Sequence, residues 1–285
     1  MSNKLSCLMT VFNESEFIDY SIRSVLPYVD NLVIVEGSYE ETIKLGASPR
    51  SNDGTIEIIE KYKNDPKVHI LYENRESDKD QRNVGLEYIK KLNSDGWLLI
   101  VDGDEVWTKD SLQMVKVAAS NMEKTNKYAA YFKSLTFVND LHHCTEQEFP
   151  RLFRITPGAK FVNDNFLNWD DKKLGWAYPH VFKLPYVRYF HFSFTKNLSR
   201  FKLKRDWWMS RNLGKDFDYG WHINENGKID DPNHDIVEFT GKHPDVMMDH
   251  PMMKHVLTLK NEVVYEGPMM SAEEMAKEMK KLNET

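Results

Sequence analysis

A chain of 285 residues can bury a full core, and 41% hydrophobic with 29% charged residues is ordinary for a water-soluble globular protein of one large domain with or without an appendage. The net charge of −6 excludes the basic footprint of a general nucleic-acid binder, and requires any anionic ligand to find positive charge locally. Cys7 and Cys144 offer neither a disulfide framework nor zinc spacing, which favours a reducing, cytoplasmic setting. The opening MSNKLSCLMTVFNESE lacks the uninterrupted apolar stretch of a signal peptide, and no run approaches the ~18–20 apolar residues of a spanning helix.

The first hundred residues predict strands alternating with helices. Leu5–Val11 reads as a buried strand, followed by a helix capped by Asn13 with Phe17, Ile18, Ile22, Val25 and Leu26 on one face. Leu32–Val35 and Val68–Tyr72 read as further strands, with helical spacing over Thr55–Tyr62 and Asp80–Leu92, and Trp97–Val101 as a fourth strand. This alternation predicts an α/β fold with a mostly parallel sheet flanked by helices, whose ligands sit beyond the carboxyl ends of the strands. Residues 39–50 interrupt the rhythm and read as a surface insertion near the mouth of such a site.

A helix over Asp110–Thr125 and strands over Tyr128–Val138 and Phe149–Ile155 come next. Residues 196–215 hold seven Lys/Arg against one acid, interleaved with Phe201, Trp207 and Trp208, and predict an amphipathic helix with Trp208 inward. Residues 216–250 look loop-like. Ser271–Leu282 carries a capping box and an apolar stripe, beside which Lys277, Lys280 and Lys281 leave open a peripheral membrane contact. The expected division is 1–195 as a binding and catalytic domain and 196–285 as a helical and loop extension packed on it.

Chemistry concentrates in WLLIVDGDEVW. An apolar strand delivers Asp102 and Asp104 at its carboxyl end, and strand alternation points both carboxylates the same way, towards one hard cation such as Mn²⁺ or Mg²⁺. Taken alone, such a pair is equally a strand-terminal acidic turn. Glu36 ends a buried strand and can accept from ribose hydroxyls or a base N–H. Asp53 opens a helix and suits either a cap or a nucleotide contact. Arg82 offers a forked donor for a phosphate or base carbonyl.

In order along the chain, LSCLMTVFNESEFIDYSIRSVL, NLVIVEGS, SNDGT, DQRNVGL and VDGDE resemble the successive motifs of the family 2 glycosyltransferases and their relatives of the GT-A (Rossmann-like) fold, over roughly residues 4–200. The resemblance implies a metal-dependent, inverting transfer of a sugar from a nucleotide-diphosphate sugar, by default a UDP-sugar, to an acceptor hydroxyl on a glycan, lipid-linked or small-molecule acceptor. It places the metal on Asp102 and Asp104, with His191 of VRYFHFSF as a third ligand, and the donor on Glu36, Asp53, Arg82, Asp102 and Lys204. FPRLFRITPGAKF is similar to the family segment before the acceptor pocket. The His-Glu pair that often follows is replaced by Asn163, Asp164 and Asn165, which makes Asp164 the candidate base, ahead of Asp170, Asp171 and Glu105. The competing reading is a noncatalytic nucleotide- or glycan-binding protein on the same fold. A sugar-phosphate nucleotidyltransferase is disfavoured, because TVFNESEF after the first strand has no glycine and two acids.

Overall fold

The computed structural model describes residues 4–125, 127–169, 181–195, 198–211 and 220–254. The predicted terminal helix, Asp170, Asp171 and His255 lie outside the described residues. The first half runs β1 (Leu5–Val11), α1 (Ile18–Val25), β2 (Asn31–Glu36), α2 (Glu40–Ile43), α3 (Thr55–Ile59), β3 (Val68–Tyr72), α4 (Asp78–Leu92) and β4 (Gly96–Ile100). It continues with β5 (Glu105–Trp107), α5 (Lys109–Lys124), β6 (Ala129–Val138), β7 (His143–Ile155), β8 (Lys160–Phe161), β9 (Leu167–Asn168), β10 (Val181–Phe194) and α6 (Leu198–Arg211). Short strands β11 (His222–Ile223), β12 (Ile229–Asp230) and β13 (Val237–Glu238) follow.

The large sheet has the order β3-β2-β1-β4-β7-β6-β10-β5, with β13 on the side of β7. Its first half, β3 to β4, is parallel throughout, as the βα alternation predicts. The second half is mixed: β7 is antiparallel to β4 and β6, β10 is parallel to β6, and β5 closes the edge antiparallel to β10.

Strand alternation splits the core in two. Cys7, Met9, Leu32, Ile34, Trp97 and Leu99 pack with Ile18, Ile22 and Val25 of α1 and with α5. Their neighbours Leu8, Val33, Val35, Leu98 and Ile100 pack with Leu86 and Ile89 of α4 on the opposite face. Burial on both faces explains why these strands read as continuous apolar runs. Gly85 sets how closely α4 lies on the sheet, since a Cβ there would stand 2.2 Å from Leu8 Cδ1.

Three local expectations change. Asn13 is no helix cap; it takes a left-handed φ of 53° and pairs with the SNDGT loop, while α1 starts five residues later. The insertion at 39–50 contains a helical turn, α2. In α6 the buried residues are Phe201 and Trp207, so Trp207 takes the inward place expected for Trp208. Among the described residues, no helix is long and apolar enough to cross a membrane.

Candidate functional site

Two loops meet at the carboxyl ends of β1 and β2. The SNDGT turn is fastened to the loop after β1: Asn13 N donates to Ser51 Oγ (2.7 Å), Asn52 N to Asn13 Oδ1 (2.9 Å) and Glu14 N to Thr55 Oγ1 (2.7 Å). Asp53 accepts from Ser15 N (3.1 Å) through one oxygen and from Thr55 N (3.0 Å) and Oγ1 (2.6 Å) through the other. Burial works against the Asp53 charge, but these donors outweigh it and hold its carboxyl below the ordinary 3.8.

Glu36 is fully buried and accepts Ser51 N at 2.8 Å, with Arg50 Nη1 3.7 Å from its other oxygen. Arg50 also donates to the carbonyls of Glu36 (2.9 Å) and Glu73 (3.1 Å). Gly37 makes that closure possible: its φ is +143°, and a Cβ would stand 2.1 Å from Glu73 O. Both Glu36 and Asp53 are thus bound into loop structure, and neither lines the main cleft.

That cleft, about 330 Å³, is lined among others by Arg82, Asp102, Asp104, Arg151, His191 and Lys204. A continuous chain of charge-assisted hydrogen bonds runs along it. Tyr39 Oη donates to Asp78 Oδ1 (2.8 Å), Arg82 Nε to Asp78 Oδ2 (2.8 Å) and Arg82 Nη2 to Asp102 Oδ1 (2.9 Å). Arg151 Nη2 donates to Asp102 Oδ2 (2.9 Å) and to Glu105 Oε1. Burial by itself would raise the Asp102 carboxyl, but Arg151 and Arg82 reverse that and hold it at about 2. Burial pushes Glu105 up to about 8 against the pull of Arg151, with Asp102 and Asp104 adding to the rise.

The two aspartates do not sit on a strand. β4 ends at Ile100, and both lie in the turn before β5. What brings Asp104 to its partner is the β5–β10 ladder, in which His191 pairs with Glu105 and Phe192 N donates to Asp104 O at 3.0 Å. His191 Nε2 then lies 3.4 Å from Asp104 Oδ1, and its buried Nδ1 has no hydrogen-bond partner.

Ligand atoms of Asp102, Glu105 and His191 come within 4.8 Å of one another. Glu105, however, is fully buried, paired with Arg151 and absent from the cleft wall, whereas Asp104 lines it. The cleft-facing donors are two carboxylates and an imidazole, ligand types that suit a divalent cation.

Asp164 also lines the cleft, and Arg211 of α6 engages both its oxygens. Lys204 donates to Ser193 Oγ and lies over the Phe194 ring at 5.3 Å. Trp207 Nε1 donates to Glu41 Oε2 of α2 at 2.7 Å, and its ring meets Tyr39 at 5.3 Å. The 39–50 insertion and α6 therefore join across the cleft. Arg151, Asp78 and Arg211 were not singled out from the sequence. Arg151 carried the clearest signal, an arginine inside the apolar strand FPRLF, where a buried guanidinium demands anionic partners.

A model of glycosyl transferase family 2 matches residues 6–170, more than half of the chain and all of the parallel half-sheet but its first residue, Leu5. The chain belongs to this family. Its sheet flanked by helices is the GT-A architecture. Among solved structures, S. aureus TarS 1–349 in complex with UDP-GlcNAc matches at 22% identity and TM-score 0.35, over 47% of this chain and 35% of that one. S. aureus TarS 1–349 matches at 17% identity and TM-score 0.42, over 75% and 67%. A 4-diphosphocytidyl-2C-methyl-D-erythritol synthase matches at 12% identity and TM-score 0.34, over 54% and 76%. The chain thus spans about a third of the length of the first of these structures. No curated protein matches.

Proposed function

We propose that this chain is a metal-dependent glycosyltransferase that moves a sugar from a nucleoside-diphosphate sugar to an acceptor hydroxyl with inversion. The observation that carries this reading is the convergence of Asp102 and Asp104, within the family match, with His191, beyond it, on one cleft at the carboxyl end of the parallel half-sheet. A divalent cation held there would supply Lewis-acid stabilisation of the leaving diphosphate. Arg82, Arg151 and Lys204 line the same cleft and provide the local positive charge that an acidic protein needs for this ligand. A UDP-sugar is the donor to try first, because TarS was solved with UDP-GlcNAc and with UDP.

On the acceptor side, Asp164 would take the hydroxyl proton once Arg211 releases one of its oxygens, a role supported by its place in the cleft wall. The same ion pair is the observation that favours the second reading, a noncatalytic nucleotide- or glycan-binding protein: Glu14, Asp78, Asp102 and Asp164 of the cleft all face a cationic side chain. A panel of nucleotide sugars with Mn²⁺, read by nucleoside-diphosphate release, separates the two. Turnover that Asp104→Asn abolishes supports the transferase. Tight donor binding without release from any donor, across a broad acceptor panel, supports the binding protein.

A further inference from the structure

Asp102 has a peculiarity for a cation ligand. Each of its oxygens already accepts a guanidinium N–H, from Arg82 and from Arg151, both at 2.9 Å. These arginines are buried to 6% and 3% exposure, so solvent does little to screen them. A divalent cation arriving alone would share one carboxylate with two buried positive charges, and their mutual repulsion opposes its binding. The arginines themselves cannot lose charge.

A diphosphate changes that balance. Its tetrahedral phosphoryl groups offer each guanidinium pairs of anionic oxygens in place of the carboxylate it holds, and such Arg–phosphate pairing is strong. Arg82 and Arg151 each keep a further hydrogen-bond acceptor, Asp78 and Glu105 respectively, so either can pivot from Asp102 without losing every partner.

Building on the donor-site reading above, we propose that Arg82 and Arg151 are stand-in counter-ions for Asp102, which make binding of the divalent cation depend on prior or simultaneous binding of the diphosphate. In the ligand-free protein they occupy the carboxylate. In the loaded protein they transfer to phosphate, and Asp102 turns to the cation. They act as positioning residues that suppress loading of metal without substrate.

Mn²⁺ binding to the full chain, followed by electron paramagnetic resonance with and without UDP, CDP, GDP or dTDP, tests this. The wild type is expected to bind Mn²⁺ weakly alone and at least about tenfold more tightly with the matching diphosphate, and Mn²⁺ to raise diphosphate affinity by the same factor. Direct phosphate ligation alone would also couple the two, so Arg82→Gln decides. The proposal requires this variant to bind Mn²⁺ more tightly than wild type without nucleotide, and to show a smaller coupling. Arg82→Lys, which keeps the charge, should stay near wild type. A residue needed only for folding would weaken metal binding when replaced.

Tight nucleotide-independent Mn²⁺ binding by the wild type overturns the proposal and leaves the donor-site reading standing, as does weaker Mn²⁺ binding in Arg82→Gln. Should Arg82→Gln not fold, Arg151→Gln takes its place with the same requirement: tighter Mn²⁺ binding than wild type without nucleotide, and a smaller coupling. Failure of every nucleoside diphosphate to bind rejects the donor site and this coupling together.

Discussion

Two acidic, glycine-bearing turns follow β2 and β4, the strands on either side of β1 in the parallel half-sheet, and the fold uses them differently. In SNDGT, Asp53 accepts three hydrogen bonds from Ser15 and Thr55, and Glu36 at the end of β2 accepts Ser51 N from below. The turn is closed on itself and on the loop after β1. In VDGDE, Asp102 and Asp104 face side chains that all line the cleft: Arg82, Arg151 and His191. Partners supplied by backbone N–H groups make a turn structural, because they cannot move without unfolding it. Partners supplied by side chains can be exchanged for a ligand.

Substitutions sharpen that difference. The largest effect is expected at VDGDE. Asp104→Asn should lower metal-dependent nucleoside-diphosphate release by at least about a hundredfold, with a melting temperature close to wild type. Preserved turnover would remove Asp104 from the metal site. At Glu36 the order reverses: Glu36→Ala strands the buried Ser51 N–H and should cost about 1–3 kcal/mol in urea unfolding. The donor KM should change little, and a large KM change with unaltered stability would return Glu36 to the binding surface.

Asp53→Asn should cost about 1 kcal/mol near neutral pH. Because the folded protein holds the Asp53 carboxyl below its ordinary 3.8, its contribution is complete above that value and is lost as pH falls through the lower, folded-state value. The stability gap between wild type and Asp53→Asn should therefore shrink on acidification below about pH 4; a gap that widened would contradict the hydrogen-bond assignment. The smallest effect belongs to the bridge over the cleft. Trp207→Phe removes the donor to Glu41 and should cost about 0.5–1.5 kcal/mol, with faster proteolysis between α2 and α3 as the more sensitive readout.

Legibility in the sequence followed the range of the interactions. Leu5–Val11 and Val68–Tyr72 fall where expected, because an apolar run bounded by polar residues is a local property. Asn13 was misread as a cap because its partners, Ser51 and Asn52, lie about forty residues away. Asp102 and Asp104 are legible as an acidic turn after the fourth strand, though their partners are not. They converge through a turn and the β5–β10 ladder, and strand alternation plays no part. The surroundings of Asp164 are least legible, since it meets Arg211 from a helix more than forty residues downstream.

By itself the sequence determined the parallel half-sheet, its covering helices and the position of the acidic turn after the fourth strand. Periodicity and strand-end chemistry act within a few residues, and burial on both faces leaves them little freedom. Only the tertiary structure decided which acids the cleft could use. Arg151 arrives on an antiparallel strand, His191 on a parallel one beyond it, and α6 from outside the sheet. Those pairings are set by the packing of whole elements: an arginine in an apolar strand signals that it needs an anionic partner, but a guanidinium 2.9 Å from Asp102 and 49 residues away leaves no local mark of which one it finds.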